Sequence, residues 1–162
     1  MTEWDKYVVA ERSLFEARAR LLDVGESLLV GQLGKALRSA SQRGTALRLL
    51  LTLDDRFRIG LLDDLLDLAS TGHADIALVR QVIQSVPPGF LDGRLSDAID
   101  ARLVDGNDEE FRRFAELLQL LGRDAELAHL VARAMASPDH DVREVGVDFS
   151  SRPLKAVNDQ DA

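Results

Sequence analysis

Apolar residues recur at spacings of three and four along nearly the whole chain, and no stretch shows the strict alternation of a half-buried strand. A chain patterned this way buries its apolar stripes only by packing helix on helix, so the sequence predicts an all-α fold. The first predicted helix runs from about Glu3 to Asp23, with Trp4, Val8, Leu14, Phe15, Leu21 and Leu22 broadly on one stripe and Gly25 as its stop. A second spans about Glu26 to Ser41. Within it, Gly31 and Gly34 each cost roughly 1 kcal/mol relative to Ala, and Gly34 offers room for a close helix approach. Thr45 is a candidate N-cap for a short helix through Leu53. Asp54 or Asp55 opens the next, which runs to Ser70. Asp75 opens one carrying Ile76, Val79, Val82 and Ile83, ended by Pro87, Pro88 and Gly89. Three more follow, from Phe90 to Val104, from Asp108 to Leu121 with Gly122 as its stop, and from Asp124 to Ala136. A last helix begins near Asp139 and fades by Phe149. The length of 162 residues fits a single helical domain over 1–150, with the polar stretch 151–162, which contains Pro153, as a flexible C-terminal tail.

Helix, tight turn and second helix form a recurrent unit. Three such pairs can be drawn, over about 45–70, 75–104 and 108–136, a spacing of roughly 30–33 residues that suits stacked helical repeats. The expected architecture is therefore a stack of antiparallel helical hairpins. An irregular helical bundle obeys the same packing rules and is the alternative.

The segment Ala134-Met135-Ala136-Ser137-Pro138-Asp139-His140-Asp141-Val142-Arg143-Glu144-Val145 resembles the turn between helices of HEAT-like repeats. There a helix ends in small and apolar residues, a Pro/Asp turn follows, and the next helix opens with Asp-Val-Arg, matched here by Asp141, Val142 and Arg143. Fainter echoes lie at Asp54-Asp55-Arg56-Phe57-Arg58 and at Asp108 to Arg113, and the first forty residues carry none. The resemblance implies a HEAT-like α-solenoid, with an Asp as N-cap and an Arg packing or pairing along the stack. It also implies a binding scaffold more readily than an enzyme, since function resides in sites rather than folds.

Charge narrows the partner. The net charge of −8 is concentrated in residues 54–110, which hold thirteen acids against five arginines, while the remaining residues balance at fifteen each. A local field of one sign steers oppositely charged partners and opposes binding to phosphates. No nucleic-acid partner is expected, the more so with one Trp and one Tyr to stack on bases. Only Lys6, Lys35 and Lys155 are lysines; the other basic residues are arginines. There are no cysteines, which removes thiolate chemistry and Cys-based metal sites and fits a reducing compartment. The start at Met1-Thr2-Glu3-Trp4-Asp5 is unlike a signal peptide, and no apolar run could span a bilayer. The expected address is the cytoplasm, with no membrane partner.

Catalytic patterns do not emerge. His73, His129 and His140 stand apart, without metal-ligand spacing. The paired glycines at Gly31/Gly34 and Gly89/Gly93 match neither a P-loop nor a dinucleotide fingerprint, and no Gly-x-Ser-x-Gly elbow occurs. No catalytic, cofactor or metal residues are assigned. Acidic pairs are plentiful: Asp63 and Asp67 are four apart, Asp64 is adjacent, and Asp97 and Asp100 are three apart. Most such pairs are a solvated helix face. Aligned helices of successive hairpins would also gather them into one surface, and the candidate partner contacts are Asp54, Asp55, Asp63, Asp64, Asp67, Asp97 and Asp100. The sequence thus points to a non-catalytic module that binds a basic protein, an immunity protein neutralising a toxin being one concrete form. A structural or oligomeric module is the alternative, with Trp4, Tyr7 and Phe15 as the residues through which it would associate.

Overall fold

A computed structural model describes residues 1–150. The expectation about the tail at 151–162 falls outside the described residues. Within them the chain is all-helical: α1 (Glu3–Leu22), α2 (Glu26–Arg38), α3 (Arg43–Leu50), α4 (Asp55–Gly60), α5 (Leu62–Ala69), α6 (Ile76–Gln84), α7 (Pro88–Leu91), α8 (Leu95–Arg102), α9 (Asp108–Leu120), α10 (Asp124–Met135) and α11 (His140–Ser150). None of these helices is long and apolar enough to cross a membrane.

Local chemistry sets many of the boundaries. At α9 the side chain of Asn107 accepts the Glu110 N–H at 3.0 Å while the Glu110 carboxylate accepts the Asn107 N–H at 3.0 Å, a reciprocal capping box. Its far end closes with Gly122 at φ +66°, the Arg123 N–H bonding back to the Leu118 carbonyl at 2.9 Å, so a left-handed residue satisfies the orphan carbonyls. Asn107 rather than Asp108 is therefore the cap.

Two expected helices are interrupted. The helix drawn from Asp55 to Ser70 breaks at Leu61 (φ −115°, ψ 11°), giving α4 and α5. The apolar stripe runs through the break unchanged, which hides it from periodicity. Beside the break, buried Arg58 donates to the carbonyls of Leu50 and Leu53 and pairs with Asp55, tying α4 to the end of α3. The helix drawn from Phe90 to Val104 begins only at Leu95. Pro88, which lacks an N–H and suits a first helical turn, opens the short α7 instead of merely ending α6, and Gly93 at φ +72° separates α7 from α8.

The hairpin frame also shifts. The close partners are α2 with α3, α5 with α6, and α10 with both α9 and α11. Only the 108–136 pair packs as drawn. In addition α2 lies on α5, α3 on α6, α5 on α8 and α9, and α9 on α11. The approach of α2 to α5 uses Gly34, where a Cβ would stand 3.3 Å from Asp64 Oδ2 and 3.5 Å from Leu61 Cδ2. One continuous core runs from Leu29 through Leu65, Val82, Ile99 and Phe114 to Phe149. α1 is the exception: it packs on α2 and buries none of its residues.

Candidate interaction surface

The candidate acidic residues fall on three helices. Asp54 and Asp55 sit at the start of α4, Asp63, Asp64 and Asp67 on α5, and Asp97 and Asp100 on α8. α5 and α8 are neighbours, so five of the seven do share one region. They are not, however, a bare negative patch. Asp64 pairs with Arg38 of α2. Asp63 and Asp67 both pair with Arg102 of α8, at 3.2 and 2.7 Å. Asp100 pairs with Arg133 of α10 at 2.7 Å and with His129 at 2.9 Å. Asp55 is taken by Arg58, and Asp54 lies 3.5 Å from Arg56. Among the described residues Asp97 alone of the seven forms no ion pair, and it is exposed. The candidate residues thus lie in a band of carboxylates, four of which (Asp63, Asp64, Asp67 and Asp100) are bridged by arginines of other helices.

Those arginines are the bridging residues that reading the sequence did not single out. They do more than neutralise charge. Arg133 also donates to the carbonyls of Asp100 and Leu103, at 3.1 and 2.6 Å, where α8 runs out of backbone partners. Arg102 donates to its own helix at Ala98 and to the Asp63 carbonyl across the interface. Arg123 reaches Asp92 at 2.5 Å and the Pro88 carbonyl at 3.0 Å. A planar guanidinium with five donors can bind a carboxylate and a helix-terminal carbonyl together, which a lysine cannot do with comparable geometry. The scarcity of lysine was the available signal.

The other flank of the core has its own bridges. Arg80 of α6 pairs with Glu116 of α9, which Arg113 also contacts at 3.1 Å, and Arg112 of α9 pairs with Asp148 of α11 at 2.8 Å. Partial burial pushes the Glu116 carboxyl up, but hydrogen bonds and charge from Arg80 and Arg113 outweigh it, so the net pKa is lowered. Arg143, for which the resemblance implied packing or pairing along a stack, does not reach along the core. It donates to the carbonyls of Ser137 and Pro138, both at 2.8 Å, and so holds its own turn shut. Asp139, accepting the Asp141 N–H at 2.8 Å, takes the capping role expected of Asp141.

Three other features stand out. α1 exposes Trp4 at 70% and Phe15 at 73%, with Tyr7, Val8, Leu14 and Leu22 also exposed. At its base a groove of about 340 Å³ opens between α2 and α3, lined by Leu21, Leu29, Leu33, Ala36 and Leu49. His140, Asp141 and Glu144, all exposed, hold potential ligand atoms within 4.8 Å of one another. They sit at the start of α11, where acidic side chains are favoured by the helix dipole without any ion.

No family model matches this chain, and neither the curated proteins nor the solved structures yield a match.

Proposed function

We propose that this chain is a non-catalytic protein-binding scaffold, built as a short stack of helical hairpins of the HEAT-like kind. The observation that carries the reading is the recurrence of one interaction along the chain. Arginine–carboxylate pairs join residues 35 and 39 apart (Arg102 with Asp67 and Asp63), 33 apart (Arg133 with Asp100) and 36 apart (Arg80 with Glu116, and Arg112 with Asp148). That separation is one helical-repeat length. In a stack reading these bridges join α2 to α5, α5 to α8 and α8 to α10 in one row, and α6 to α9 and α9 to α11 in a second, in which α3 packs on α6 without an ion pair among the described residues. A stack fixed this way is a rigid platform, which suits recognition of a partner surface.

The partner favoured by charge is a basic protein. The net charge of −8 remains, and Asp54, Asp63 and Asp67 keep side-chain exposures of 78%, 90% and 68% although paired. Surface pairs of this kind are weak enough to re-form with a partner's cations. An immunity protein occluding a basic toxin is the sharpest form of this reading, and cytoplasmic residence is part of it.

The test is capture of partners by the tagged full chain from lysate at low and high salt, repeated with Asp54→Lys, Asp63→Lys and Asp97→Lys combined. A basic protein held at low salt, released at high salt and lost with the triple variant supports the proposal, since rim charges act mainly on association rate and salt dependence. If the same partner is retained by the variant at both salts, recognition does not use the acidic band. Recovery of the chain alone would favour the structural module instead.

A further inference from the structure

We infer that α1 is a dimerisation helix, pairing antiparallel with α1 of a second copy of this chain. α1 is fully formed, opened by a capping box in which the Thr2 side chain accepts the Asp5 N–H at 3.1 Å and Asp5 accepts the Thr2 N–H at 2.7 Å. Yet it buries no residue within its own chain. An isolated helix of this length is marginal in water, because packing of an apolar face supplies most of a helix's stability. Within α1, Tyr7, Ala10, Leu14, Ala17 and Leu21 follow one another at alternating intervals of three and four, a heptad seam whose last position, Leu21, is half-buried against its own core. Trp4, Phe15 and Leu22 flank the seam on one side, and Glu11 and Arg18 are set between them.

Charge identifies the occupant and its direction. Residues 3–11 hold three acids and one base, Glu3, Asp5, Glu11 and Lys6. Residues 12–22 hold three bases and one acid, Arg12, Arg18, Arg20 and Glu16. Within α1 the sole ion pair among the described residues is Lys6 with Glu3, at 2.6 Å. In the core, by contrast, arginine after arginine bridges to a neighbouring helix. The unpaired basic half of α1 matches the acidic half of an identical helix running the other way. A parallel pair would set like against like and align the helix dipoles unfavourably. Interlocking the seam in antiparallel register places Leu14 against Ala17 and Ala10 against Leu21 of the other copy, with Glu11 beside Arg18 twice, as two-fold symmetry requires.

The area suffices. Aromatic side chains offer roughly 150–250 Å² each, so Trp4, Tyr7 and Phe15 at 70%, 56% and 73% exposure, with the aliphatics beside them, bring two copies to the roughly 1,200 Å² where stable interfaces begin. The tip of each α1 reaches the base of the other, where the groove bounded by Leu21, Leu29 and Leu33 is open to receive Trp4.

Sedimentation equilibrium of the full chain tests this directly, with a dimer expected. Because Phe15 is 73% exposed and takes no part in the core, Phe15→Glu should leave helix content and thermal unfolding of the remainder in place while weakening the dimer by on the order of tenfold or more. Arg18→Glu should weaken it to a similar degree, and Glu11→Arg added to Arg18→Glu should restore it, a rescue only the antiparallel register permits. The chain has no cysteine, so direction can be read by disulfide trapping. Ala10→Cys with Leu21→Cys should cross-link between copies, the two positions lying about 16 Å apart within one helix and unable to close on themselves. Cross-linking by Ala10→Cys alone would show a parallel pair and overturn the proposal, as would a monomer at every concentration tested. The readout involves no other protein, so its failure leaves the scaffold reading standing, and loss of a captured partner would leave the dimer standing.

Discussion

α1 and α9 begin with the same device and end in opposite situations. Each opens with a capping box, Thr2 with Asp5 and Asn107 with Glu110, and each carries an apolar stripe at helical spacing. α9 buries Phe111, Phe114, Ala115, Leu117 and Leu118, while α1 buries nothing. Local sequence makes both helices; only their surroundings separate a core element from an exposed arm. The arginines divide along the same line. Arg38, Arg80, Arg102, Arg112 and Arg133 of the core join helices to one another, whereas Arg12, Arg18 and Arg20 of α1 pair with no carboxylate among the described residues.

Matched phenylalanines should separate the two regions most widely. Phe114 is fully buried, and Phe114→Ala is expected to cost about 3–5 kcal/mol in chemical unfolding. Phe15→Ala, measured under dilute conditions that keep the chain monomeric, should stay within about 0.5 kcal/mol. Comparable losses would mean that α1 belongs to the core. The arginine bridges come next. Arg133→Ala strips a carboxylate and two helix-end carbonyls of their donor and should cost about 1–3 kcal/mol, with Arg133→Lys recovering only part of it. Full recovery by lysine would reduce the bridge to simple charge.

The caps sharpen the contrast at smaller scale. Asn107→Ala should lower global stability by about 1 kcal/mol, whereas Thr2→Ala should lower helix content without moving the main unfolding transition. The smallest effect is a pH dependence. The Glu116 carboxyl has a lower pKa folded than its ordinary value of 4.5, so its contribution is fully present above the unfolded value and is lost as pH falls through the folded one. The stability gap between wild type and Glu116→Gln should therefore narrow on acidification below about pH 4.5. A gap that is constant across that range would remove Arg80 and Arg113 as its cause.

How far the sequence could be read is clear from particular elements. α9, α10 and α11 were legible within a residue or two, since caps, glycine stops and period all agree there. The break at Leu61 was not, because Phe57, Leu61, Leu65 and Ala69 keep helical spacing straight through it, and no local pattern announces that Arg58 ties α4 back to the carbonyls of Leu50 and Leu53. Among the site residues, the placing of Asp63, Asp64 and Asp67 on one helix was legible from their spacing, whereas the packing of α8, which carries Asp100, beside that helix was not. Their neutralisation was not: Arg38, Arg102 and Arg133 stand 26 to 39 residues away, and no local pattern pairs them.

The sequence by itself determined that this chain is helical throughout its described length, where most helices begin and end, and which residues are apolar enough to seek burial. Those properties depend on side chains within a few positions of one another. Which helices become neighbours, which acids keep their charge free, and which apolar stripe is left uncovered were decided only by the tertiary structure. They depend on contacts between residues a repeat length or more apart, whose geometry exists only once the helices have packed.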